Sequence, residues 1–222
     1  MGGQEMDKLE EILNRIRTEL EAKNAARDMA LQSSRTLIRD CANAIRAAHR
    51  GQLTDAEALL TMAGKAAQEL KTELLPYPDL YYAGYTQDAF KEYVEAVVVY
   101  AFIRDGHLPS PTDLGVEAAA YVNGLAEAAS ELRRHALDLM RHNRLERAAQ
   151  ILDAMDDVYS QLMAMDFPDA ITGGLRRNTD MLRGVVERTR GDLTTAIRQE
   201  MMRQALQEFE ERLGMRAAKR DP

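Results

Sequence analysis

"FKEYVEAVVVYAFIRDG", residues 90–106, decides the fold. From Tyr93 to Ile103 every residue but Glu95 is apolar. At about 100° per residue these apolar positions reach every side of a helix. Such a helix is buried all round and needs other helices to bury it. Yet Glu92 and Glu95 stand at its start, three residues apart and roughly 60° apart around the axis. They face inward or into a cleft, and an unpaired buried carboxylate is costly. Protonation, an arginine partner or a metal ion can offset that cost. Ordinary solvent-facing glutamates are the alternative.

The surrounding chain supports the same class. Apolar residues make up 45% and aromatics only 5%, with no Trp, so Leu, Ala, Val and Met fill the core. Gly and Pro cluster in a few places, which reads as all-α. The expected architecture is an antiparallel bundle of about six or seven long helices. The first runs from about Asp7 to Arg50 and stops at Gly51. The second has Thr54 as N-cap, Glu57 completing a capping box, and an end near Leu75. Thr86 caps the third, which holds the opening stretch and ends at Gly106. Further helices are expected from Val116 to His142, Leu145 to Met165 and Leu175 to Leu213. "PYPDLYYAGYTQ", "HLPSPTDLG" and "DFPDAITGG" are breaks. No linker marks a boundary, so one helical domain over residues 1–222 is expected. Helices this long at both ends overhang a compact bundle, which points to a homo-oligomer.

Composition also excludes. With 36 acidic against 29 basic residues the net charge is −7, so bulk charge does not coat nucleic acid. Cys41 is the single cysteine and permits no internal disulfide. No apolar run reaches the roughly 18 residues of a membrane span. "MGGQEMDKLEE" lacks the regions of a signal peptide. The expected location is the cytoplasm, with no membrane partner.

Two constellations carry chemistry. In "NGLAEAASELRRH", Glu127 and Glu131 project from one helix face, and Gly124, Ala128 and Ala129 let a neighbour approach closely. If this helix runs beside the first glutamate pair, four carboxylates converge, an oxygen-only set that suits Mg2+ or Mn2+. Solvent-facing glutamates are the alternative here too. His135, one turn after Glu131, is a further candidate ligand. A ferritin-like di-iron centre needs Glu-x-x-His on two helices, and Glu131 is followed by Arg134 instead.

The second constellation is "SRTLIRDCANAIRAAHRG". Arg35, Arg39, Arg46 and Arg50 fall within about 60° of one another, along about 22 Å of helix. Leu37, Ile38, Cys41, Ala44, Ile45 and Ala48 take the opposite side. An acidic helix or a phosphate backbone can oppose such a stripe. Tyr77, Tyr81, Tyr82 and Tyr85 either stack on bases or cap helices in the core. The mixed charges of "LRRNTDMLRGVVERTRGDL" read as salt-bridged scaffold.

These segments, in order and spacing, resemble the translin family, and within it the archaeal form of the translin-associated factor X branch. The resemblance spans nearly the whole chain. It rests on the arginine segment, "GYTQDAFKEYVEAVVVYAFIRDG", "YVNGLAEAASELRRHALDLM" and "LRRNTDMLRGVVERTRGDL". It implies an all-helical fold assembled into hollow, octamer-like shells. It implies a metal-dependent endoribonuclease with acidic residues facing the interior, using Mg2+ or Mn2+ held by Glu92, Glu95, Glu127 and Glu131. Glu127 stands where that branch usually has Asp, one methylene shorter. RNA is the implied partner, with single-stranded DNA as the alternative, and Arg35, Arg39, Arg46 and Arg50 are the candidate backbone contacts. Translin itself lacks the "EYVE" pair and binds nucleic acid without that set, which is the competing reading.

Overall fold

The computed structural model describes residues 3–104, 106–212 and 214. Among the described residues all regular structure is helical. Six helices are long: α1 (Gly3–His49), α2 (Leu53–Leu74), α4 (Gly84–Arg104), α6 (Ala118–Arg141), α7 (Leu145–Met163) and α9 (Leu175–Arg212). Three single turns, α3 (Pro78–Tyr81), α5 (Pro111–Leu114) and α8 (Asp169–Thr172), lie inside the stretches read as breaks. The chain groups into two compact units, Met1–Gly124 and Leu125–Pro222, and α6 runs through the division without interruption.

In the first unit, α1, α2 and α4 pack on one another. The central and C-terminal part of α1 buries Ala30, Ser34, Leu37, Cys41, Ala44, Ile45 and Ala48. α1 ends as expected at Gly51, whose φ of 74° lets Gln52 N–H donate back to Ala47 O at 3.0 Å. α2 buries Ala56, Leu60, Ala63, Ala67, Leu70 and Leu74, alternating steps of four and three that form one stripe. α4 shows no such stripe. Phe90, Tyr93, Val94, Ala96, Val98, Val99, Tyr100 and Ala101 are all buried, which bears out the reading of the opening stretch. Burying each of Val94, Val98 and Val99 completely contributes about 1.5–3 kcal/mol. Residues 5–22 are all exposed, and Met6, Leu9, Leu13, Ile16 and Leu20 recur at steps of three and four.

Two caps differ from expectation. α2 starts two residues earlier than expected, with Gln52 rather than Thr54 at the N-cap and no side-chain cap bond. Glu57, freed from a capping box, accepts from Arg104 at 3.1 Å and ties the start of α2 to the end of α4. Thr86 lies inside α4, because its buried hydroxyl donates to Leu80 O at 2.8 Å and so joins the helix to the α3 turn. The capping box occurs instead at Ser110 and Asp113, before α5. The expected end at Leu213 lies outside the described residues.

In the second unit, α7 buries Ala148, Ile151, Leu152, Met155, Val158 and Leu162. It packs on α9, which buries Leu175, Thr179, Leu182, Val186, Thr189 and Leu193. Polar ties reinforce the unit. Arg133 of α6 meets Asp192 at 2.8 Å and donates to Thr189 at 3.1 Å. Arg190 meets Asp156 at 3.0 Å and Glu187 at 3.1 Å, the scaffold role read from its mixed charges. Glu200 accepts from Arg203 at 2.8 Å, from Gln204 and from Asn143 of the α6–α7 turn. Beyond Leu193, Met201, Met202, Leu206 and Phe209 are exposed.

Candidate metal centre

α4 carries Glu92 and Glu95 half-buried, on its middle turns. Their direction is registered by Cys41, on the buried side of α1. Its thiol is pushed up to about 12, first by burial and then by the negative charge of Glu92, Asp40 and Glu95. Both carboxylates therefore lie near enough to the buried side of α1 for their charge to act on that thiol.

α6 approaches α4 at Gly124. A Cβ built there would lie 2.6 Å from Lys91 O and 2.7 Å from Val94 Cβ. Only glycine allows this crossing, as the small residues of "NGLAEAAS" suggested. One turn further along the same helix comes Glu127, half-buried and accepting from Asn178 Nδ2 at 3.3 Å. One carboxylate oxygen from each of Glu92, Glu95 and Glu127 lies within 4.8 Å of the others. Oxygens around Mg2+ sit about 2.1 Å from the ion, hence up to about 4.2 Å apart. The trio thus matches a hard divalent cation with small side-chain adjustments. The donor set is oxygen alone, which suits a hard divalent cation.

Glu131, one turn on from Glu127, lies outside the trio and meets Arg134 at 3.8 Å. His135 is half-buried on the same helix. Sequence reasoning missed Asn178, which orients Glu127, and Lys91, whose Nζ is 3.6 Å from Glu92 Oε1. Nothing local marks Asn178, which comes from α9. Lys91 was legible as the i,i+4 neighbour of Glu95.

Arg35, Arg39, Arg46 and Arg50 are all exposed, while Leu37, Cys41, Ala44, Ile45 and Ala48 opposite them are buried. Arg39 contacts its neighbour Asp40 at 3.8 Å, and Arg46 donates to Asn43. By helical rotation the stripe points roughly 120–180° away from Cys41, and so away from the α4 glutamates. The tyrosines divide. Tyr81 is buried and donates to Glu117 at 3.0 Å, whereas Tyr82 packs edge-on against it with centroids 4.8 Å apart and is 63% exposed. Among the described residues no helix is long and apolar enough to cross a membrane.

Comparison with known proteins agrees with this architecture. An uncharacterized protein of Methanocaldococcus jannaschii is 30% identical over 204 residues, 90% of this chain and 88% of that one. The solved structure of AfC3PO in complex with duplex RNA is similar with a TM-score of 0.80 and 33% identity, over 85% of this chain and 98% of that one. The structure of AfC3PO alone gives 0.80 and 32% over the same shares. Apo-NeC3PO shares the fold, with a TM-score of 0.76 at 20% identity over 83% and 96%. The translin family profile matches residues 7–213, and the chain belongs to the translin family.

Proposed function

We propose that this chain is a Mg2+- or Mn2+-dependent endoribonuclease of the translin-associated factor X type, working in a homo-oligomeric, octamer-like shell in the cytoplasm. The observation that carries the proposal is the convergence of Glu92, Glu95 and Glu127. RNA as the substrate is supported by the duplex RNA complex of the similar AfC3PO. When bound, a divalent cation supplies an activated water and stabilises the charge developing on a phosphodiester.

The chain's own groups do the rest. Glu92 and Glu95 form two walls of the centre from one rigid helix. Glu127 closes it from α6, with Asn178 holding its rotamer. Glu131, on the next turn, would be a further carboxylate for the ion. The apolar side of α1 closes off bulk solvent behind the glutamates, which strengthens charge interactions there. Arg35, Arg39, Arg46 and Arg50 hold phosphates along the opposite, exposed side of α1. In the shell, a strand lying on that stripe also comes within reach of neighbouring copies. The exposed apolar positions of α1 and α9 supply surface for such neighbours.

Cleavage of short RNA in Mn2+ or Mg2+ and its loss in EDTA is the test. Binding without cleavage in every metal would leave only the reading of a non-catalytic RNA-binding protein. Light scattering should show a species far above the 24.9 kDa of one chain. A monomer at micromolar concentration would remove the shell from the mechanism.

A further inference from the structure

We infer that Lys91 is the resident counter-cation of the carboxylate centre and a positioning residue that sets its affinity for divalent metal. The inference rests on the metal-centre reading above. Lys91 Nζ lies 3.6 Å from Glu92 Oε1, and the two side chains are only 21% and 28% exposed. On α4 it is also the i,i+4 neighbour of Glu95 and the i,i+3 neighbour of Asp88, so it belongs to the acidic face. Its backbone carbonyl is wedged beneath Gly124, which fixes its Cα at the crossing of α4 and α6.

The charges explain why a lysine belongs there. The three grouped carboxylates contribute −3 when ionised, and one lysine leaves −2, which one dication neutralises. Without a cation, three carboxylates this close repel one another, and Lys91 offsets part of that repulsion. With a cation, Lys91 repels it. Lys91 thus trades metal affinity for integrity of the empty centre. Removing its charge should tighten divalent binding on the order of tenfold, since a unit charge a few ångströms from a dication matters even in water-like surroundings.

The test is titration of the full chain with Mn2+, without RNA, followed by electron paramagnetic resonance of the free ion. Lys91→Met and Lys91→Gln should both bind Mn2+ about tenfold more tightly than wild type. Lys91→Arg, which keeps the charge, should stay within about twofold. Far-ultraviolet circular dichroism establishes that each variant is folded, and two neutral variants keep the test open if one is not. Unchanged or weaker Mn2+ binding in a folded neutral variant overturns the proposal. Failure of the wild type to bind Mn2+ at all overturns the metal-centre reading, and this inference with it.

Discussion

Replacing Gly124 with alanine tests how the centre is built. The added Cβ would lie 2.6 Å from Lys91 O, a backbone atom that cannot swing aside, and 2.7 Å from Val94 Cβ. Ordinary contact begins at 3.4 Å, so the helices must open by about 0.8 Å at this crossing. Alanine favours the helix over glycine by about 0.5–1 kcal/mol. Overpacking a close crossing costs about 1–3 kcal/mol. The expected net loss is about 1 kcal/mol, read as a lower urea midpoint at unchanged slope in EDTA. Because Glu127 follows one turn later, the opening also draws one of three ligands away from the other two. Mn2+ affinity should then fall roughly tenfold, given the near-ideal geometry such ions demand. If Gly124→Ala is as stable as wild type and binds Mn2+ equally well, the crossing does not set the geometry of the centre.

Glu95→Gln preserves shape and removes charge, so it should abolish RNA cleavage while leaving RNA binding intact or tighter; cleavage at the wild-type rate would make the glutamates structural. Arg39→Ala with Arg46→Ala should weaken RNA binding and lower the salt slope by about 1.4–1.8, the share of two phosphates; an unchanged slope would remove the stripe from the RNA track. Glu200 is held at about 2, chiefly by its bond from Arg203 and further by Gln204 and Asn143. Its contribution is full above the unfolded value of about 4.3 and is lost as pH falls toward 2. The stability gap between wild type and Glu200→Gln should therefore close between about pH 5 and pH 2, and a gap independent of pH would contradict this.

The long helices were legible because each has a pattern that survives without its neighbours. α4 declared itself by having no polar side, and α2 and α7 by the breaks that bound them. The caps of α2 and α4 were not legible, because Glu57 and Thr86 answer to Arg104 and Leu80, which folding alone brings to them. The centre divides in the same way. Glu92 and Glu95 could be paired from spacing, since one helix carries both. Glu127 needed the close approach at Gly124, which the small residues around it foreshadowed. Glu131 shares Glu127's face by rotation, yet the next turn of α6 carries it beyond the trio. The direction of the arginine stripe relative to the glutamates needed the packing of α1 on α4, which periodicity along one chain cannot supply.

α1 also joins two regions of unequal permanence. Past Ala30 its backbone is locked by buried side chains, while the side chains of residues 5–22 are all exposed. An isolated helix of about 12–15 residues is marginal in water. Amide protons in residues 5–22 should therefore exchange with solvent far faster than those around Cys41 when the protein is dilute. Their protection should climb with protein concentration if other copies cover Met6, Leu9, Leu13, Ile16 and Leu20. Hydrogen exchange along this single helix would then read out association and folding as one linked equilibrium.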